Sequence, residues 1–177
     1  MIIKIFTIGH STRSWPEFIS LLKENGIRMI ADVRRRPYSQ KFPQFNREAL
    51  ETNLAVEGIG YLWLEALGGW RRGKARGNSP NPGLRSIGLR NYADHMHTGE
   101  FEGAVELLLA AAARELTAIL CAERLFWKCH RRLLCDHLVS RGTEVVHIQE
   151  EGKICPHKVT PGAVFTISGV IYPEVQP

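Results

Sequence analysis

Apolar positions in this chain switch between a strand-like and a helix-like period, and the switching sketches a fold. Ile2–Ile8 is an apolar, β-branched run that ends in Gly9-His10-Ser11, the pattern of a buried first strand with His10 at its tip. Ser14 and Glu17 stand at capping-box spacing, Phe18, Leu21 and Leu22 form a helical stripe, and Asn25-Gly26 closes that helix. Ile27–Val33 is a second short strand with Asp32 near its end. Strand, helix and strand within ~30 residues predict a βαβ unit, whose strands run parallel. Prolines and charges make Arg34–Phe45 a loop. Asn46 can cap a helix bearing Leu50 and Leu54 that stops at Gly58, and Ile59–Leu64 gives a third strand.

Leu67–Arg90 carries six glycines and two prolines and reads as a long irregular stretch. Asn91–Thr98 predicts a short helix and Gly99–Glu115 a longer Ala- and Leu-rich one capped by Thr98. Thr117–Cys121 is again a strand, Ala122–Lys128 a loop, Cys129–Arg141 a helix and Thr143–Gln149 a further strand. Glu150–Pro177 is a tail of short β pieces broken by glycine and proline. Strands alternating with helices define an α/β fold with a mostly parallel sheet and helices on both faces. We expect a three-layer sandwich in one domain over residues 1–177, with the β-rich tail packed on it and the first strand central. In such sheets ligands sit outside the carboxyl ends of the strands. Gly9-His10-Ser11, Asp32-Val33-Arg34 and Cys121-Ala122-Glu123 all fall there and are expected to converge on one crevice.

Composition narrows the class. At 177 residues and 44% apolar the chain can bury a sizeable core. No apolar run approaches the ~20 residues of a membrane span, so no membrane partner is expected. Met1–Ile8 leads straight into a strand pattern without a basic leader, and four cysteines in a chain this long do not resemble a disulfide framework. Both point to a reducing cytoplasm.

The net charge of +5 matters less than its placement. Arg34–Arg47 holds five cations and no acid, and Arg71–Arg90 holds six and no acid. These stretches account for eleven of the 23 basic residues, which leaves the remainder net negative. A loop-borne positive field suits an anionic ligand: phosphate, nucleotide or nucleic acid.

The reactive residue types gather around Thr117–Leu138. Cys129 opens or precedes a helix and is flanked by Lys128, His130, Arg131 and Arg132. A helix N-terminus and cations both favour a thiolate, so Cys129 is a candidate nucleophile with a lowered pKa, unless burial offsets them. Cys135 shares a face with Leu134 and Leu138 and belongs to the core. Arg131 lies on that face one turn earlier and should point at the crevice. His10, Asp32, Glu123, Cys129 and His130 are the candidate catalytic groups; Arg34, Lys128, Arg131 and Arg132 are the candidate anion-binding groups. Cys155-Pro156-His157 lacks the second ligand pair of a zinc site, so no metal is assigned and no cofactor is named.

At these residues the chain resembles the prokaryotic family known as domain of unknown function 488. The resemblance rests on Thr7-Ile8-Gly9-His10-Ser11, Asp32-Val33-Arg34, Pro43-Gln44-Phe45-Asn46, Leu67-Gly68-Gly69, Leu120-Cys121-Ala122-Glu123 and Cys129-His130-Arg131. Asn91-Tyr92-Ala93-Asp94 and Pro156-His157 are similar too. Where relatives often carry Lys-Asp-Pro after Cys-Ala-Glu, this chain has Arg124-Leu125-Phe126-Trp127, a more apolar loop. The resemblance implies a single α/β domain and carries no activity with it. Three function classes follow from the residues. The first is an enzyme acting on a phosphate-bearing small molecule, nucleotide or nucleic-acid end. The second is a nucleic-acid-binding module without chemistry. The third, ranked lowest because Cys121-x7-Cys129-His130 fits no zinc-ribbon or thioredoxin spacing, is a metal or thiol-redox protein.

Overall fold

The computed structural model describes residues 2–71 and 78–174. Strands β1 (Lys4–Gly9), β2 (Met29–Asp32), β3 (Gly60–Trp63), β4 (Thr117–Cys121) and β5 (Glu144–Glu150) run parallel, and β6 (Lys153–Pro156) adds antiparallel beside β5. The sheet order is β3-β2-β4-β1-β5-β6, which places β1 inside the sheet between β4 and β5. β1 and β2 are parallel as expected, with β4 inserted between them. A separate hairpin, β7 (Val164–Thr166) and β8 (Gly169–Ile171), forms from the tail.

Helices cover both faces, so the sandwich has three layers. Helices α1 (Trp15–Glu24) and α2 (Arg47–Val56) pack Phe18, Leu22, Leu50 and Leu54 against Phe6, Ile8, Ile30 and Leu120. Helices α3 (Ile87–His95), α4 (Gly99–Ala112) and α5 (Arg131–Ser140) pack Tyr92, Phe101, Leu108 and Leu134 against Ile5, Ala31, Ile119 and Val145. Neighbouring strand residues therefore serve opposite layers: Ile5 one, Phe6 the other. That alternation decides which face each strand-end residue reaches.

Local chemistry sets the boundaries. Ser14 and Thr98 cap α1 and α4 by accepting the amides of Glu17 and Phe101, both at 3.3 Å. Asn46 stands before α2, but its side chain accepts the Ser39 amide instead, at 2.6 Å, and ties down the preceding loop. α3 begins at Ile87, earlier than the expected Asn91, because Ser86 caps it through the Leu89 amide. The irregular stretch after Leu67 is correspondingly shorter. Residues 72–77, including Arg72, Lys74 and Arg76 of the second basic stretch, lie outside the described residues.

Gly9 is fixed by crowding. A Cβ there would stand 2.0 Å from the Glu123 carbonyl oxygen and 2.8 Å from Arg124 Cα, both backbone atoms. Gly9→Ala is expected to lower stability by about 3 kcal/mol, the upper part of the overpacking range, measured by urea unfolding. A loss under ~1 kcal/mol would mean that the Glu123–Arg124 turn yields easily.

Candidate functional site

Cys121 ends β4 on the same face as Ile119, the face covered by α3, α4 and α5. The chain then makes a 3-10 turn at Phe126–Lys128, passes Cys129 in extended conformation, and enters α5 at Arg131, two residues later than expected for Cys129 as first helical residue. This return brings Cys129 Sγ to 3.4 Å from Cys121 Sγ. The Arg131 amide donates to Cys129 Sγ at 3.5 Å, and His130 Nδ1 lies 3.5 Å from it. Cys129 is held well below the ordinary thiol range, chiefly by the Cys121 S–H donated to it; burial opposes this, and His130 and Arg131 assist. Cys121 is pushed correspondingly up, first because its proton serves Cys129 and then by burial. The helix end and its cations do act on Cys129, but the largest influence is a second thiol that arrives through tertiary structure. His130 is seated over Gly69, where a Cβ would come within 2.7 Å of its Nδ1, and its ring meets Tyr92 edge-on at 4.9 Å.

The donor atoms of Cys121, Cys129 and His130 lie within 4.8 Å of one another. Two thiols and an imidazole are the donor types zinc prefers, and three ligands would leave a fourth position open. A second soft group, Cys135, His147 and His157, meets the same spacing.

His10, Asp32 and Arg34 occupy the opposite face. Phe45 stacks on His10 at 4.4 Å. His10 Nδ1–H donates to the Ser11 carbonyl at 3.1 Å, which leaves Nε2 to accept from Arg34 Nη1 at 3.2 Å. Burial, reinforced by the Arg34 charge, pushes His10 down to about 4, so the ring is neutral. Asp32 is fully buried and takes Arg34 Nε at 2.9 Å, Arg34 Nη2 at 2.6 Å and the Tyr61 hydroxyl at 2.8 Å. Ser11, next to His10, holds a left-handed backbone with φ of 46°, uncommon for a non-glycine residue.

The expected single crevice is divided. His10 and Arg34, with Ser11, Arg36 and Tyr38, line a cavity of about 330 Å³. Arg131 lines another of about 180 Å³. Cys129, Asp32 and Glu123 line neither of these two. All remain at the carboxyl end of the sheet, but strand alternation sends His10 and Asp32 to one face and Cys121 to the other.

Several of the described cations meet partners inside the chain. Arg131, only 1% exposed, donates to the Glu123 carbonyl and to Thr7 Oγ1. Arg34 is consumed by Asp32, Phe45 O and His10. Arg35, Arg71 and Arg90 brace the carbonyls of Trp70, Ala66 and Leu84, and Arg47 stacks on Trp63 at 4.4 Å. Lys128 and Glu123 are exposed, Glu123 accepting the Leu125 amide at 3.1 Å. Arg132 is half-buried, and its Nε has no partner among the described residues.

Residues given no site role from the sequence also meet at the sheet. Thr7, Asp136, His147 and His157 form one buried hydrogen-bonded chain. A signal was present: Thr7 and His147 stand two places after Ile5 and Val145, so each is a polar side chain aimed at the core.

A three-layer α/β protein with a buried dithiol–imidazole cluster at the carboxyl end of its central strands is what fold and site define. The chain belongs to the family described as Domain of unknown function DUF488, whose model matches residues 14–138. The matched span holds Cys121, Cys129, His130, Arg131 and Asp136. No curated protein and no solved structure matches the chain. Among the described residues no helix is long and apolar enough to cross a membrane.

Proposed function

We propose that the chain is an enzyme that works through Cys129 as a thiolate nucleophile. The observation that carries this is the gathering of polar groups around one sulfur: Cys121 Sγ lies 3.4 Å and His130 Nδ1 3.5 Å from Cys129 Sγ, and the Arg131 amide donates to it at 3.5 Å. Donors so placed stabilise negative charge on sulfur before any substrate arrives. Cys121, in contact with it, would resolve a mixed-disulfide intermediate by attacking Cys129 Sγ, expelling the substrate thiolate and leaving a Cys121–Cys129 disulfide for an external thiol to reduce. The α5 N-terminus, exposed Lys128 and the unpartnered Arg132 Nε favour a substrate with negative charge near its electrophilic centre. This keeps the anionic ligand expected from the charge pattern and moves the chemistry from the His10 face to the thiol face.

Iodoacetamide labelling at pH 7, read peptide by peptide, tests the reading. Cys129 is expected to react at least ~10-fold faster than Cys121, Cys135 or Cys155, since one pKa unit is a factor of ten in thiolate. Cys121→Ala should slow Cys129 by about the same factor, because it removes the leading donor. Labelling of Cys129 no faster than that of Cys155 would remove the nucleophile role. Protection lifted by a chelator would replace the free thiolate with a zinc centre on the same three residues.

A further inference from the structure

Three segments of the chain deliver soft donor atoms to one buried point. Cys135 lies on α5, His147 on β5 and His157 just past the end of β6. Cys135 Sγ and one nitrogen from each ring lie within 4.8 Å of one another. Cys135 has no exposed surface, His147 is 1% exposed and the His157 side chain is fully covered. The two rings meet through His147 Nε2 and His157 Nδ1, 2.9 Å apart. No ligand is shared with the Cys121, Cys129 and His130 group.

The far nitrogen of each ring is held by oxygen. His157 Nε2 lies 2.8 Å from Asp136 Oδ1, and a carboxylate only accepts, so that nitrogen carries the hydrogen and Nδ1 of the neutral ring keeps its lone pair. His147 Nδ1 lies 2.7 Å from Thr7 Oγ1, a hydroxyl oxygen able to accept from it. With both far nitrogens donating, two lone pairs face each other beside a thiol, which is repulsive unless a cation stands between them. Without metal, one hydrogen lies between the rings instead, and the Thr7 hydroxyl donates to His147. Histidines that ligate a metal ordinarily have the other N–H tied to a carboxylate or another oxygen, as both have here. Asp136 gives an independent reason for a cation. It is fully buried, and it accepts the Thr160 amide at 2.9 Å and the Tyr172 hydroxyl at 2.7 Å. Among the described residues, the basic side chain that reaches it is His157. A buried carboxylate needs positive charge nearby, and a metal on His157 supplies it through the ring.

We propose that Cys135, His147 and His157 bind a zinc ion that fastens the segment after β6 to α5 and β5. Zinc takes thiolate and neutral imidazole in a tetrahedral array, and three protein ligands leave the fourth position to water. Two nitrogens at zinc bond lengths of ~2.0–2.1 Å stand about 3.3 Å apart, so the rings separate by a few tenths of an ångström and the hydrogen between them is displaced. Cys135 loses its thiol proton to solvent, and His147 carries its hydrogen on Nδ1, toward Thr7. The thiolate and Asp136 together offset the double charge of the ion, so the buried site is neutral as a whole. His157 thus finds its partners on α5 and β5, and not within Cys155-Pro156-His157. Because all three ligands are covered, the ion enters as the chain folds.

The test uses the full chain with Cys121→Ala and Cys129→Ala, which removes the other pair of thiols. This protein is unfolded with a chelator and refolded with or without zinc chloride. It should retain one zinc per chain after dialysis, with a dissociation constant below about 1 μM, and zinc should raise its urea midpoint. Adding Cys135→Ala should weaken zinc binding by at least ~100-fold and remove the zinc-dependent rise, since loss of an outer partner alone costs ~10–100-fold. Asp136→Asn, a change to such a partner, should fall in that smaller range. If these variants do not fold, nitrogen-15 shifts of the wild-type imidazoles, refolded with excess zinc, decide. Zinc should then move the His147 hydrogen from Nε2 to Nδ1 and shift His157 Nδ1. Three results would overturn the proposal: no zinc retained by the folded Cys121→Ala, Cys129→Ala chain, equal retention after Cys135→Ala, or wild-type His147 and His157 nitrogens that zinc leaves unmoved.

Discussion

Asp32→Ala should destabilise the protein by about 3–5 kcal/mol, the range for removing one partner of a buried ion pair. Asp32 has no exposed surface and Arg34 is 7% exposed, so the guanidinium left behind could not be rehydrated without opening the site. Four of the contacts that Asp32 accepts come from Arg34: the backbone amide at 3.0 Å, Nε at 2.9 and 3.2 Å and Nη2 at 2.6 Å. The Tyr61 hydroxyl would lose its acceptor as well. Against a total stability of roughly 5–15 kcal/mol, this loss would leave many molecules near unfolding. Replacing both charges, Asp32→Ala with Arg34→Met, should be less damaging than Asp32→Ala alone, because no unpaired charge stays buried. Urea midpoints of the three proteins measure this. A double variant less stable than Asp32→Ala would show that the hydrogen bonds from Arg34 to Phe45 and His10 outweigh the stranded charge.

Acid should weaken the fold steeply well above the pH at which most carboxylates protonate. His10 is held down to about 4, by burial and then Arg34, and His147 to about 3, by burial and then His157 and Arg131. Unfolded, each returns to ~6.5. The sign follows from which state binds protons first. Below ~6.5 the unfolded chain takes up both protons while the folded chain does not, so stability is full above that pH and falls as the pH drops. The loss continues to about 4 for His10 and about 3 for His147. Two protons correspond to about 2.7 kcal/mol per pH unit, or on the order of 5 kcal/mol between pH 6.5 and 4.5. Asp32, Arg34 and Arg131 are the charged groups that face His10, and His157 and Arg131 those that face His147. His95 and His137 are also held low by burial and add to the slope. Unfolding free energies across pH 7 to 4.5 should show this slope, reduced by about one proton in His10→Asn and again in His147→Asn. A free energy flat to within ~1 kcal/mol over that range would mean that neither ring is held neutral.

The elements themselves were legible because their signals are local. Phe18, Leu21 and Leu22 at helical spacing behind Ser14, or the unbroken Thr117–Cys121 run, need only neighbours along the chain to declare themselves. The error at α3 has a local cause too. Gly88 and an exposed Ile87 obscure the Leu89–Tyr92–Ala93–Met96 stripe that buries this helix, so the pattern alone starts it at Asn91. The basic stretches show a different limit. Charge could be counted from the sequence, but not the backbone carbonyls that Arg71, Arg90 and Arg35 would meet.

By itself the sequence determined that this is an α/β chain with reactive groups at the carboxyl ends of its parallel strands, since hydrophobic period and turn residues are properties of short windows. It also placed Cys129 beside a helix start. Only the tertiary structure decided which of those groups meet. The two-residue alternation of a strand sends Asp32 and His10 to one layer and Cys121 and Thr7 to the other, so groups adjacent along the sheet edge are separated by the sheet itself. The return of the chain through Phe126–Lys128 sets Cys129 against Cys121, and the parallel pairing of β1 with β5 sets Thr7 beside His147, 140 residues away. Such contacts are fixed by strand order and loop path, which depend on the packing of the whole chain and on no window within it.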